Sequence, residues 1–289
     1  MWQSLLRNWI WSAVKSAATS SAAGPSKAAD RPGRPCDVGL VFALPQESNR
    51  LVDRMRGVVT THGAGFVAKS GRLGEKQIVV INSGAGREAA YRATDALITA
   101  HRPRLIISTG FAGGLHEDLN RGDFLFANEV ISAAGRRLTI ELKLDQATGD
   151  PSRSIHVGRL VTADRLVTTP AGKKALHVQL GAMAVDLETI AVADACRSFS
   201  TPLLAIRIIS DAVDEALPRD IERLMNKPTR VRQVGFALGT MFRRPSSAKD
   251  LWHLQQTAST LSERLAKLLI GVVEQLPAAT PHDVGLAAP

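Results

Sequence analysis

Cysteine is scarce in this 289-residue chain, with Cys36 in a Pro-rich stretch and Cys196 in a predicted helix. No paired spacing links the two, so a disulfide framework and a cysteine-based zinc site are excluded and a reducing compartment fits best. No run of about 18 apolar residues occurs, so no segment reads as a membrane-spanning helix. Acidic residues are absent before Asp30 and again from Arg223 to Lys249. The excess of 36 Lys+Arg over 27 Asp+Glu, a net charge of +9, calls for an anionic partner. No zinc-finger spacing or aromatic-basic RNA motif accompanies it, and nucleic acid is not expected. What is present is a 45% hydrophobic, 22% charged composition, enough to bury a core and to exclude a wholly disordered or fibrous protein. Length and composition suggest one main domain with appendages.

The first appendage is residues 1–36. Trp2, Leu5, Leu6, Trp9, Ile10 and Val14 recur at helical spacing, with Arg7 and Lys15 away from that stripe. This is the pattern of an interfacial helix, so peripheral membrane contact through residues 2–14 is one expectation for an otherwise cytoplasmic protein. A packing or disordered tail and an organellar transit peptide are the alternatives; Arg7 and Asn8 interrupt the apolar run that a secretory signal needs. Residues 16–35, rich in Ala, Ser, Gly and Pro, read as a flexible linker. The second basic stretch holds Arg223, Lys227, Arg230, Arg232, Arg243, Arg244 and Lys249 and reads as a solvated basic face or a contact for anionic lipid or phosphate. A long helix is predicted from Leu251 to Val273, and residues 276–289 are expected to be a disordered tail.

Between these ends, apolar runs alternate with helical patterns. Strands are predicted at 38–43, 64–72, 77–81, 105–109, 124–131, 156–162, 182–185 and 203–209. Helices are predicted at 47–56, 87–101, from about Pro170, and at 187–199. The 105–109 strand is expected to close in the turn Gly110-Phe-Ala-Gly-Gly114. Such alternation, with near-continuous apolar strands, indicates an α/β domain covered on both faces, with function where strands end.

Gly84-Ala-Gly-Arg-Glu-Ala89 fits G-x-G-x-x-A between a strand and a helix. It does not follow the first strand, and the strand at 105–109 lacks the ribose-binding acid, so a tight turn is preferred to a dinucleotide site. The amides at Gly86 with Arg87 beside them are a candidate phosphate site. Three acids follow apolar strands: Glu47, Glu188 and Asp211. Each could be no more than a helix cap or turn residue.

The segments around them carry a resemblance. Val38-Gly-Leu-Val-Phe-Ala-Leu-Pro-Gln-Glu47, Ser108-Thr-Gly-Phe-Ala-Gly-Gly-Leu115 with Gly122-Asp123, Ala184-Val-Asp-Leu-Glu188 and Arg207-Ile-Ile-Ser-Asp211 resemble the ordered motifs of the nucleoside phosphorylase and nucleosidase superfamily. They are especially similar to those of the methylthioadenosine/S-adenosylhomocysteine nucleosidases. The resemblance covers about residues 37–215, and a single domain over 37–275 is expected. It implies a nucleoside-phosphorylase-like α/β domain with a mixed, partly barrel-like central sheet flanked by helices, assembled as a homodimer. It further implies cleavage of the N-ribosidic bond of a purine nucleoside with release of adenine, without metal or organic cofactor. On that resemblance Asp211 protonates or hydrogen-bonds purine N7, supported by Ser210. Glu188 grips the ribose hydroxyls and Glu47 orients or deprotonates the attacking water. Ala112 and Gly113 lie beside the ribose, Val167 meets the base through its backbone, and Leu187 stands at a substrate-binding position. A carboxylate near a sugar gaining positive charge and a proton donor at the departing base both favour the transition state over the ground state.

Phe111 stands where the similar hydrolases have a small residue, Leu187 where they have Met, and Leu166 where an aromatic side chain would stack on adenine. These features, with Asp186, Thr169-Pro170 and Phe242-Arg-Arg-Pro245, resemble the hopanoid-associated phosphorylase branch of the superfamily, implicated in adenosylhopane cleavage. Phosphorylases place an arginine where this chain has Ser108; Arg87 and Arg54 are substitutes. Glu47 favours water as nucleophile, and phosphate stays open. A catalytically inactive nucleoside-binding or membrane-scaffold protein is the reading from a different class.

Overall fold

The computed structural model describes residues 35–140, 154–217 and 248–276, with only the backbone described at 248–255. The expected amphipathic helix at 2–14, most of the linker, almost all of the basic stretch at 223–249 and nearly all of the C-terminal tail lie outside the described residues. In chain order the elements are β1 (Val38–Phe42), α1 (Pro45–Val52), β2 (Arg56–His62), β3 (Val67–Leu73), β4 (Lys76–Asn82), α2 (Arg87–His101) and β5 (Leu105–Gly114). They continue with β6 (Phe124–Ser132), β7 (Arg137–Thr139), β8 (Ile155–Thr162), α3 (Pro170–Leu180), β9 (Ala184–Asp186), α4 (Thr189–Ser198), β10 (Leu203–Asp211) and α5 (Ala248–Glu274). Among the described residues no helix is long and apolar enough to cross a membrane.

All ten strands join one mixed sheet. β4, β1, β5 and β10 run parallel, which demands helical crossovers and leaves their residues buried on both faces. β2 and β3 extend this sheet as an antiparallel hairpin. At the other end β10 pairs with β6, β6 with β8, β8 with β9, and β9 returns to the far end of β5. Five strands thereby close on themselves, and β5 belongs to both the open sheet and the barrel.

Each face has its own apolar layer. On one side Leu40, Phe42, Val80 and Ile107 pack with Leu51 of α1 and Leu261, Leu265, Leu269 and Val272 of α5. On the other, Val41, Ile81 and Ile106 pack with Ala90, Ala93 and Leu97 of α2 and Val192 and Cys196 of α4. Gly39 lets α2 approach, since a Cβ there would stand 2.5 Å from a Leu97 methyl. Cys36 is buried in this second layer; its N–H donates to His101 O and its carbonyl accepts from Arg104 N.

The strand predicted at 64–72 is β3, but a strand with no expectation, β2, pairs with it and is exposed at every residue. It pairs on one side only, so selection for a buried face left no alternation to read. More consequentially, Gly110 to Gly114 is not a closing turn but the second half of β5. The glycines read as a breaker are there because other groups press against the strand at those positions.

Candidate active site

The loop after β1 enters α1 through Pro45 at the helix start, and Glu47 occupies the third helical position. Its Oε2 accepts from the Leu44 N–H at 2.8 Å, the backbone half of a capping box. Its Oε1 accepts from the Phe111 N–H of β5, also at 2.8 Å. Glu47 is therefore a cap and more than a cap, because one oxygen is turned onto the middle of β5. Gly110 permits this: a Cβ there would meet Glu47 Oε1 at 2.6 Å, and its φ of +143° suits glycine. Glu47 is buried, and burial raises its pKa above the ordinary carboxylate value, partly offset by the amides of Phe111, Leu44 and Ala43 and by the charge of Arg207.

Glu188 arrives differently. β9 pairs antiparallel with Gly113 and Gly114, so the chain leaves it heading back along β5 toward Gly110. Glu188 stands at the N-cap of α4 but makes no side-chain cap. Capping is done by Asp186, whose Oδ2 accepts from the Thr189 N–H at 3.0 Å. Glu188 is thus free to reach across the sheet, where its Oε1 accepts from the Gly86 N–H at 2.7 Å. Burial of its carboxyl and the neighbouring Asp186 charge push its pKa up to about 8, although the residue as a whole is only half-buried.

Beneath these two carboxyls lies a buried polar network. Arg207 of β10 donates through Nη2 to Asp186 Oδ2 at 2.7 Å, to Thr189 Oγ1 at 2.6 Å and to Ser108 Oγ at 3.0 Å. Its Nε also donates to Asp186 Oδ2, at 3.1 Å, and Asp186 Oδ1 accepts from Thr162 Oγ1 at 2.7 Å. The pair is almost inaccessible to solvent, which is tolerable only because its hydrogen bonds are nearly complete. Glu47, Glu188, Arg207, Ser108, Thr109 and Phe111 line one cavity of about 10 Å³, the space of about one water. Thr109 Oγ1 is buried there with no hydrogen-bond partner among the described residues.

Asp211 ends β10, opposite the far part of β5. The β10–β5 register shifts between Ile209 and Asp211, so that Ile209 opposes Ala112 and Asp211 opposes Gly113. This bulge at Ser210 re-aims the last side chain of the strand. A Cβ on Gly113 would stand 3.3 Å from Asp211 Oδ2, so glycine keeps a side chain from crowding that oxygen. Ser210 Oγ lies 2.5 Å from Asp211 Oδ1 and 3.1 Å from the Ala112 carbonyl, and its one hydrogen can serve either. Gly122-Asp123 plays a structural part, because Gly122 N–H donates to Ile209 O and Ile209 N–H to Asp123 O, stitching β6 to β10. Three residues of β5, about 10 Å, separate the end held by Glu47 from the end facing Asp211.

The other expected positions fall around this line. Ala112 is buried and Gly113 half-buried on β5. Val167, on the loop after β8, and Leu187 are half-buried against Leu115, Val161 and Val185. Gly86 and Arg87, read as an anion site, are already engaged: the Gly86 amide serves Glu188 and Arg87 pairs with Asp164. Arg54 pairs with Glu263 of α5, 2.6 Å away, on the helical outside. Thr169-Pro170 starts α3, the Thr169 hydroxyl accepting from Gly172 N–H at 3.1 Å.

Sequence reasoning missed three contributors. Arg207 lies inside a motif without a marked role, because nothing local says that its guanidinium runs to Asp186. Gly110 reads as a turn residue. Lys173 carries no motif, though it shares a helical stripe with Leu176 and Leu180, an odd place for a charge.

Comparison with known proteins agrees with the fold. The 5′-methylthioadenosine/S-adenosylhomocysteine nucleosidase of Staphylococcus haemolyticus is 27% identical over 214 residues, 67% of this chain and 94% of its own. The solved structure of the nucleosidase of that name from Neisseria meningitidis, in complex with methylthio-immucillin-A, superposes with a TM-score of 0.60 at 23% identity, covering 83% of this chain and 99% of its own. Futalosine hydrolase of Helicobacter pylori gives 0.62 at 20% identity, covering 83% and 98%. The family model described as the phosphorylase superfamily matches residues 37–234, more than half of the sequence, and the chain belongs to that superfamily.

Proposed function

We propose that this protein hydrolyses the N-ribosidic bond of an adenine nucleoside and releases adenine, an activity of the kind named for its S. haemolyticus relative. The observation that carries the choice of water over phosphate is the make-up of the cavity at Gly110. Two carboxyls, Glu47 and Glu188, line it, and its one guanidinium, Arg207, is matched by Asp186. Among the described residues a phosphate dianion would find no uncompensated cation at this site. A water there has hydrogen-bonding partners in Glu47 and the otherwise unpartnered Thr109 hydroxyl.

In this reading the ribose lies along Gly110 to Gly113, with the base toward Asp211. As the bond from C1′ to the base breaks, its electron pair moves onto the purine and positive charge gathers on the sugar. Ionised Glu188, held by the Gly86 amide, binds the hydroxyls and stabilises that charge. Glu47 takes a proton from the water that attacks C1′, and Asp211 hydrogen-bonds or protonates N7.

The test is product analysis after incubation with adenosine, methylthioadenosine, adenosylhomocysteine and a hydrophobic 5′-substituted adenosine, each with and without phosphate. Adenine and free ribose sugar at equal rates with and without phosphate are expected. A ribose 1-phosphate, or cleavage that requires phosphate, would overturn hydrolysis; turnover of the hydrophobic substrate alone would favour the hopanoid-associated branch. We further propose peripheral membrane contact through residues 2–14 of a cytoplasmic homodimer, supported by the Trp-rich stripe and the resemblance respectively. Flotation with anionic liposomes is expected for the chain and lost on replacing Trp2, Trp9 and Trp11 together by Ala; equal flotation of both would sink the membrane part.

A further inference from the structure

Lys173 of α3 is completely buried, which is costly for an ammonium unless it is fully partnered. Its Nζ donates to Ala212 O at 2.6 Å and to Glu215 O at 2.7 Å. It also stands 2.5 Å from Asp211 Oδ2. That last contact is a close ion pair, and Oδ2 is buried and accepts no further hydrogen bond among the described residues. The aspartate's charge is therefore compensated while Oδ2 keeps a second acceptor lone pair, beside Gly113, which has no side chain. A buried acceptor in that state is suited to receive a donor from a bound molecule, such as the exocyclic amine of adenine or N7 once it is protonated.

The same ammonium ties down the segment after β10. Ala212 N–H donates to Glu215 Oε2 at 2.9 Å, Arg121 holds that carboxylate at 2.8 Å, and Leu217 N–H donates to Thr168 O at 2.9 Å. The segment at 212–217 is so joined to the 163–169 loop, which carries Val167, with Lys173 at the centre.

We propose that Lys173 is a positioning residue for the leaving base: it fixes the carboxyl of Asp211 and the 212–217 segment, so that Oδ2 faces the purine. This rests on the nucleosidase reading above. A methionine of similar length would pack there without the charge.

The experiment compares the full-length protein with Lys173→Met and Lys173→Gln on two substrates, the adenine nucleoside it cleaves and 4-nitrophenyl riboside. The aryl group departs as a stable anion and makes no use of a donor or acceptor at purine N7. Lys173→Met is expected to lower kcat for the nucleoside by about 100-fold, an orientation effect, while aryl riboside cleavage stays within about threefold. Lys173→Gln, whose amide can still donate to the 212–217 carbonyls, is expected to recover about tenfold and serves if the Met variant does not fold. Adenine binding, measured without turnover, is expected to weaken by about tenfold in Lys173→Met. Parallel losses on both substrates, or unchanged nucleoside turnover and adenine affinity, would overturn the role of Lys173. A wild-type protein that cleaves neither substrate but loses adenine affinity on Lys173→Met would instead refute the catalytic reading and leave the positioning of the base standing.

Discussion

Glu47→Gln is expected to reduce kcat for base release by about 10³-fold with KM nearly unchanged. The carboxyl touches no bound base in the proposed arrangement; its work is to accept the proton of the attacking water. Burial raises its pKa, which makes the ionised form a stronger base than an exposed glutamate. The amide of Gln has the same shape but no basic oxygen of that strength. It also cannot replace both acceptors, because its NH2 must face either the Leu44 or the Phe111 N–H, each now 2.8 Å from a carboxylate oxygen. That donor-to-donor contact is expected to cost about 1–2 kcal/mol of stability, a loss read from a urea melt. Gly110→Ala provides a companion without touching the carboxyl chemically. Its Cβ would press on Glu47 Oε1, and a displacement near 1 Å at the nucleophile costs about 10²-fold. Steady-state kinetics decides: Glu47→Gln retaining more than about a tenth of wild-type kcat would remove Glu47 as the base.

Glu188→Gln is expected to cut kcat/KM by about 10²-fold or more and, in the opposite direction, to make the protein less sensitive to rising pH. Glu188 holds its proton more tightly in the folded chain, with a pKa of about 8 against an ordinary 4.5. Between those values the folded state binds more protons than the unfolded state, so its contribution to stability falls as pH rises through that window. Gln removes the titration and can keep the Gly86 contact through its carbonyl oxygen. Urea midpoints for wild type should therefore drop more between pH 5 and pH 8 than those of the variant. Catalysis runs the other way: ionised Glu188 is the form that stabilises a cationic sugar, so wild-type kcat/KM should climb as pH approaches 8. A variant that keeps the wild-type pH slope of stability, or its kcat/KM, would contradict this assignment.

The three acids on which both the resemblance and these experiments rest were readable because each follows a short apolar strand within a local motif. What each one does with its oxygens was not. Glu47 looked like a helix cap and is one, but its second oxygen meets an amide 64 residues away. Glu188 looked like a cap and is not, because Asp186 two residues earlier takes that role. Gly86 and Arg87 suggested an anion site from their neighbours in sequence; the carboxylate that uses the Gly86 amide comes from 102 residues downstream. The hairpin strand β2 left no signal because none of its residues is buried. Lys173 was hidden for the converse reason: a lysine in a helix is ordinarily a solvent-facing charge, and nothing in its neighbours announces an aspartate 38 positions later.

Scarce cysteine, no long apolar run and alternating strand and helix patterns were enough to define an α/β domain, and the motifs set in it its superfamily, since these depend on residue type, local period and spacing alone. The chain's own sequence also determined which acids follow strands, because motif and spacing are local properties. Only the tertiary structure decided that β5 runs on through its glycines, that Arg207 and Asp186 cancel each other, and that Lys173 pairs with Asp211. Those depend on which distant segments share the same few ångströms, where burial makes every unpaired charge or amide costly and leaves few arrangements that satisfy them all.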